Sequence, residues 1–282
     1  MFDTGFYSSR YFNKVYEDNG LITKASTNID KIKAEFDYYY YLPNNLKRFF
    51  VQPFDFEIKD NVASYKMEII KYPNLAELSS KDKINKKSFE LILNGIDNFK
   101  SFNIDSIEED VKRESEYLVL EKTKTRISSY KEYSDLFNLI EKGFNKYIKE
   151  RQFWNKSVSH GDLCFSNIFW IDDLKMIKFI DPRGAIKNTD IFMDEYYDLA
   201  KISHSIFGGY ESIIYNKKID YSSIHDVFIE YLNRKSISIN LLKIYEASLF
   251  LSMIPLHSEN KKNMNLFANT CAKILSEVKI ND

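Results

Sequence analysis

Residues 159–184, SHGDLCFSNIFWIDDLKMIKFIDPRG, decide the reading of this chain. His160, Gly161 and Asp162 open the stretch, Asn167 follows the aspartate after four intervening residues, and Asp181 closes the next apolar run. Between Asn167 and Asp181 the pattern is that of a hairpin, with a strand at 168–171, a polar turn at 172–175 and a return strand at 176–180. A hairpin brings its two ends together. Asn167 and Asp181 are therefore expected side by side, as two oxygen ligands suited to holding Mg²⁺ against the phosphates of a nucleotide.

This layout is that of a phosphoryl-transfer site, where positioning and charge neutralisation supply most of the acceleration. Asp162 is placed to accept the proton of an acceptor hydroxyl. His160 is read as packing and hydrogen bonding to fix the loop. Gly161 stands where protein kinases commonly carry an arginine that reads a phosphorylated activation loop, so regulation by that route is not expected.

HGD, four residues, Asn and a hairpin ending in IDP together resemble the aminoglycoside phosphotransferase and choline kinase family, the small-molecule branch of the protein-kinase-like fold. The resemblance implies an α+β, bilobal fold. A small N-terminal lobe at 1–72 would carry a five-stranded antiparallel sheet and one helix, and a large, mostly helical lobe at 73–282 would hold the catalytic and acceptor sites. It also implies ATP and Mg²⁺ as cofactors. The wording HGDLCFSNI with IDPRG is most similar to phosphotransferase domains of bacterial surface-polysaccharide pathways, which points to a sugar or sugar-like acceptor. Choline or ethanolamine kinase and aminoglycoside phosphotransferase are the alternative substrate readings. A kinase-like binding module without turnover, or a protein kinase, are the alternatives of other classes.

Upstream, strands are read at 5–8, 13–17 and 21–25, the last two joined by the turn Asp18-Asn19-Gly20. Read alone, Lys24 is an exposed strand lysine; the resemblance makes it the lysine that reaches the α- and β-phosphates. A helix follows, with Thr27 and Asp30 as a capping pair and an apolar face of Ile29, Ile32, Phe36, Tyr39 and Tyr40 that ends before Pro43. Glu35 lies in that helix, either as one more solvated charge or, as the resemblance implies, as the partner of Lys24. In place of a glycine-rich loop the chain has Tyr7, Ser8, Ser9, Arg10 and Tyr11, where backbone amides and the Ser8 and Ser9 hydroxyls can meet phosphate oxygens. Strands at 50–58 and 62–70 around Lys59-Asp60-Asn61 complete the expected sheet. Lys71, Tyr72, Pro73 and Asn74 then break the pattern as the expected hinge between lobes, and the resemblance makes residues 68–71, with Glu68 and Ile70, the stretch whose backbone reads adenine, an ordinary strand end being the other reading.

The remainder reads as helical. Apolar stripes mark helices at 88–102 and 130–150, and later ones at 222–233, 240–256 and 263–278. The charged segment 105–129 is read as a helix or helical hairpin; its Lys122 and Arg126 are taken as a solvated face, with approach to an anionic substrate as the other reading. A helix begins near Glu195, and its Asp198-Leu199-Ala200 resembles the family element whose aspartate braces the catalytic loop. Arg183 is read either as steadying phosphate or the Asp181 turn, or as a plain surface arginine. Trp170, Tyr196, Tyr197, Phe207 and Tyr210 are candidate stacking surfaces for an acceptor, although 20 Tyr and 22 Phe make most aromatics core. His204, His225 and His257 lack ligand spacing and are read as structural.

Composition is consistent with this. With 282 residues, 44% hydrophobic and 29% charged, the chain has the makings of a large core. A net charge of -1 without basic clusters speaks against nucleic acid as a partner. No targeting signal or uninterrupted membrane-spanning run is read, and two cysteines, Cys164 and Cys271, make no disulfide framework. A cytoplasmic enzyme acting on a small molecule is the expectation.

Overall fold

The computed structural model describes residues 13–104, 106–183 and 191–280. The N-terminal sheet contains β1 (Asn13–Asp18), β2 (Leu21–Ser26), β3 (Phe54–Lys59) and β4 (Val62–Glu68), in the order β1-β2-β4-β3 and antiparallel throughout. It thus has four strands among the described residues rather than the five expected. The expected strand at 5–8, with Ser8 and Ser9, lies outside the described residues.

Both hairpins in this sheet close through two-residue loops whose residues take positive φ, Asn19 (50°) with Gly20 (78°) and Asp60 (50°) with Asn61 (60°). That is the geometry of a type I′ turn, whose twist matches that of the flanking strands. The strand read at 50–58 begins later, at Phe54. Pro53 has no N–H to contribute to a ladder, and the register of β3 is irregular between Phe54 and Glu57, where Asp55 takes φ 51°. Phe49 and Phe50 instead turn into the main core, against Phe99 and Phe179.

Helix α1 (Ile29–Tyr41) is capped by Asn28, whose side chain accepts from Lys31 N at 3.1 Å, rather than by Thr27 with Asp30. Its buried face carries Ile32, Glu35 and Tyr38. Ile32 packs with Ala63 and Tyr65 of β4 in a small core separate from the main one.

The rest of the chain is mainly helical. In order come α2 (Leu75–Ser80), α3 (Lys86–Lys100), β5 (Asn103–Ile104), α4 (Glu108–Glu116), α5 (Lys122–Arg126), α6 (Ser134–Tyr147) and β6 (Lys156–Val158). Then follow β7 (Ile168–Ile171), β8 (Met176–Phe179), β9 (Phe192–Asp194), α7 (Glu195–Ile206), α8 (Tyr210–Ile214), α9 (Ser222–Arg234), α10 (Ile239–Met253) and α11 (Lys261–Ser276). The charged segment is one helical run, in which a π-helical turn at Tyr117–Glu121 joins α4 to α5. Sequence reading missed the small sheet β5-β6-β9, whose strands have two or three residues and therefore no legible period. The stretch Ile239–His257 is long and apolar enough by length and composition to cross a bilayer. Here 72% of it is buried, and α10 packs against α6, α7 and α11.

One buried network sets α7. Asp194, its N-cap, accepts from Tyr196 N at 3.1 Å, pairs with Arg151 at 2.7 Å, and accepts from Ser115 Oγ at 2.8 Å and from the Tyr245 hydroxyl at 2.5 Å. Burial alone would raise the Asp194 carboxyl, but Arg151 overrides it and holds it below the usual range. With this end pinned, the face of α7 that carries Tyr197, Asp198 and Lys201 is held beneath the loop at 159–167.

Candidate active site

The loop after β6 is anchored from below by Asp198. Its carboxylate accepts from His160 N at 2.8 Å, Gly161 N at 2.9 Å and Ser159 Oγ at 3.0 Å, and pairs with Lys100 at 3.2 Å. Lys100 comes from α3, and all these groups are buried. Gly161 takes φ +76°, a conformation that a Cβ would strain, and this turn sends the Asp162 side chain out of the network.

His160 lies between Phe50 and Phe179. Its Nδ1 accepts from Asp162 N at 3.2 Å, which assigns the proton to Nε2, 2.9 Å from Ile180 O. Burial pushes its pKa down, outweighing the nearby Asp198 and Asp162. The ring is a neutral strut between the loop and the hairpin, as expected from the sequence.

The far end of the loop has a second anchor. Glu211 accepts from Ser205 Oγ at 2.8 Å and Ser166 N at 3.4 Å, and Ser205 Oγ accepts from Phe165 N at 3.1 Å. Sequence reading did not single out Glu211, because a lone glutamate at a short helix carries no spacing signal.

The hairpin forms as read, with Ile168 opposite Phe179, and Ile180 N donates to Asn167 O at 3.2 Å. Asn167 and Asp181 therefore sit at the same end. Asn167 Nδ2 donates to Asp162 O at 2.9 Å, which leaves its Oδ1 as the atom available to a cation. Asp181 takes φ 58° and its side chain keeps 37% of its surface exposed. Burial would raise its carboxyl, but the Lys24 ammonium overrides this and holds it below the usual range. An amide oxygen beside an ionised carboxylate is a donor set that fits Mg²⁺.

Lys24 and Glu35 meet there too. Lys24 Nζ lies 2.6 Å from Glu35 Oε2 and 2.7 Å from Asp181 Oδ1, so the lysine of β2 joins helix α1 to the hairpin end. Burial works to lower the Lys24 pKa, and the two carboxylates reverse this and hold it well above its ordinary value. The reading of Lys24 and Glu35 as solvated charges is thereby overturned.

Arg183 is not a plain surface arginine. Its guanidinium lies 3.1 Å from Asp162 Oδ2, and its backbone N–H donates to His160 O at 2.8 Å. Lys201 of α7, which sequence reading missed, lies 3.0 Å from Asp162 Oδ1. The available signal was its spacing, three residues after Asp198 and four after Tyr197 on one helical face. Lys122 is not on a solvated face: its ammonium donates to the Tyr197 hydroxyl at 2.6 Å. Arg126 donates to Ser252. Of the other candidate aromatics, Tyr196 packs on Tyr245, Phe207 on Phe228, and Trp170 Nε1 donates to Asp172. Glu68 ends β4 opposite Leu21, and Ile69 N donates to Gly20 O at 3.0 Å; Ile70 follows outside the strand.

The arrangement can be compared with known proteins. A thermostable mutant of the aminoglycoside phosphotransferase APH(4)-Ia, in ternary complex with AMP-PNP and hygromycin B, superposes with a TM-score of 0.62 at 10% identity, over 95% of this chain and 91% of that one. The chain shares the fold of this phosphotransferase. A protein assigned as a fructosamine-3-kinase from Haemophilus somnus gives a TM-score of 0.61 at 14% identity, over 95% and 89% of the two chains. A glucosamine kinase in complex with glucosamine, ADP and inorganic phosphate gives 0.54 at 9% identity, over 94% and 75%. No protein-family profile matches the chain, and no curated protein matches it in sequence.

Proposed function

We propose that this chain is an ATP- and Mg²⁺-dependent kinase that transfers the γ-phosphoryl group to a hydroxyl of a small metabolite, a sugar or sugar-like compound. The observation that carries the reading is the convergence of Lys24, Glu35, Asp181 and Asn167 at one hairpin end, next to Asp162 on its glycine turn. The likeness of fold to kinases that bind hygromycin B and glucosamine supports a small hydroxyl acceptor.

In this reading Lys24, steadied by Glu35, holds the α- and β-phosphates. Asn167 Oδ1 and Asp181 would hold Mg²⁺, which would supply charge neutralisation at the phosphate oxygens. Asp162 orients the acceptor hydroxyl and takes up its proton as the new O–P bond forms and ADP leaves. Asp198, Lys100, His160 and Glu211 position the loop without touching substrate.

The test is acceptor-dependent ADP release over a panel of free sugars, amino sugars, choline, ethanolamine and aminoglycosides, with Asp162→Asn as blank. Loss of a positioned general base lowers kcat about 10²- to 10⁴-fold while leaving Mg·ATP binding in place. Near-normal kcat in Asp162→Asn would remove the base from Asp162.

A further inference from the structure

Among the described residues, the charges around Asp162 do not balance. Arg183 and Lys201 both contact its carboxylate, while Lys122 contacts the Tyr197 hydroxyl, which lies near Lys201 and Arg183 as well, so three cations gather about Tyr197 and Asp162. Asp181 and Glu35, the other site carboxylates, are already engaged by Lys24. The partner of Lys122 is a phenol rather than an anion, and its ammonium also lies 4.6 Å from the centre of the Tyr197 ring. The Lys201 side chain is 10% exposed, so its charge is largely withdrawn from water. Excess positive charge in such a place destabilises a fold unless an anion is received there.

Two further features single out the cluster. The π-helical turn Tyr117–Glu121 ends at Lys122, whose N–H bonds back to Tyr117 O. This one-residue widening sets the face on which Lys122 emerges, and such turns inside helices are frequent at functional sites. The second feature is electrostatic. Burial would raise the Tyr197 hydroxyl, yet Lys122 and Lys201, with the Lys122 hydrogen bond and Arg183, bring it down to about 8. Burial lowers the Lys122 pKa; Tyr197 opposes this, while Arg126 and Lys201 push it further down. The cations crowd one another, and an incoming anion would relieve that repulsion.

We propose that Lys122, Lys201 and Arg183 form an anion-binding wall beside Asp162, and that the acceptor is a hydroxyl compound carrying a carboxylate or a phosphate. The inference rests on the kinase reading and narrows its substrate class. It runs against a cationic acceptor such as an aminoglycoside or choline, which would meet three like charges. The wall orients the acceptor: its anion bridges Lys122 and Lys201, and its hydroxyl reaches Asp162 as Arg183 and Lys201 turn from the carboxylate toward the bound anions.

A matched series tests this on the full chain, using glucose, glucosamine, glucuronate and glucose 6-phosphate, which share one ring and differ in charge. Binding of each is measured by calorimetry in the presence of Mg·AMP-PNP, and ADP release with ATP is measured separately. Glucuronate or glucose 6-phosphate should bind at least about tenfold more tightly than glucose and glucosamine, the size of one hydrogen bond to a charged group. Lys122→Met should erase that preference, Lys122→Arg should retain it, and neither should change the affinity for Mg·AMP-PNP by more than about twofold, well inside the effect of one charged contact. Equal or tighter binding of glucose or glucosamine overturns the proposal. So does loss of Mg·AMP-PNP affinity in Lys122→Met with anionic-sugar binding unchanged, which would assign the cations to the nucleotide. Asp162-dependent ADP release with a neutral or cationic acceptor alone sinks the anion wall and leaves the kinase standing. Selective anion binding with no ADP release from any acceptor keeps the wall and sinks the kinase.

Discussion

Replacing Asp198 by asparagine tests how the loop at 159–167 is held. The carboxylate is buried and serves four donors: His160 N, Gly161 N, Ser159 Oγ and Lys100 Nζ. Asparagine keeps the shape and one acceptor oxygen, but it removes the charge opposite Lys100 and turns an N–H₂ toward donors. Breaking a buried ion pair by removing one partner destabilises by about 3–5 kcal/mol. At about 2.1 cal/mol/K per residue, 282 residues give an unfolding entropy near 0.6 kcal/mol/K, so Tm should fall by about 5–8 °C. Lys100→Met should be milder, because Asp198 keeps its other three hydrogen bonds. In the double variant Lys100→Met/Asp198→Asn no cation is left without its partner, so the two changes should be non-additive by about 1–3 kcal/mol. Urea unfolding of the four proteins measures this coupling, and ADP release measures whether the loop still presents Asp162. Additive stability losses within 0.5 kcal/mol, roughly the scatter for independent sites, together with unimpaired turnover in Asp198→Asn, would refute the brace.

Other expectations follow from the same geometry. Lys24→Met should raise KM for Mg·ATP and lower kcat, whereas Glu35→Gln, which leaves the lysine in place but frees it from α1, should have the smaller effect of the two; steady-state kinetics against ATP separates them. Glu246 is buried on α10, accepts from Ser203 Oγ, and is pushed by burial up to about 8. Its folded pKa exceeds the unfolded value near 4.3, so the folded state binds more protons between those values, and the group's contribution to stability falls as pH rises from about 4 to about 8. Glu246→Gln, a mimic of the protonated form, should flatten that part of the Tm–pH curve and be more stable than the parent at pH near 8; no change in slope would place the titration elsewhere. Gly161→Ala should strain a residue at φ +76° by about 1–2 kcal/mol and reduce turnover with little change in Mg·ATP binding.

Much of the site is legible in the sequence because its parts are local. The hairpin of residues 168–179 follows from two short apolar runs around a polar turn, and the type I′ loops follow from Asn-Gly and Asp-Asn pairs that tolerate positive φ. Asn167 and Asp181 come together for the same reason, because a hairpin must bring its ends together. Asp198 was reachable only through resemblance, since nothing within its own helix shows that its oxygens face the loop. Helix α1 illustrates the limit: its apolar period marks Ile32 and Phe36 but not that Glu35 lies on the buried face.

What only the tertiary structure decided is where the charges lie. Lys24 and Lys122 have no local feature that separates them from solvated lysines, and Lys201 and Glu211 lie far along the chain from the loop they serve. Lys24 depends on β2 meeting α1 and the hairpin end, Lys122 on α5 meeting α7 at Tyr197, and Lys201 and Glu211 on α7 and α8 packing against residues 159–167, which long-range burial fixes and no short window encodes. The sequence alone determined the hairpin and its turns, since steric rules and local patterning act over a few residues, and its HGD and IDP motifs carried the resemblance that implied a kinase-like layout. Packing determined which of the chain's 40 lysines and arginines are withdrawn from water and aimed at Asp162, because burying a charge is decided by everything that surrounds it.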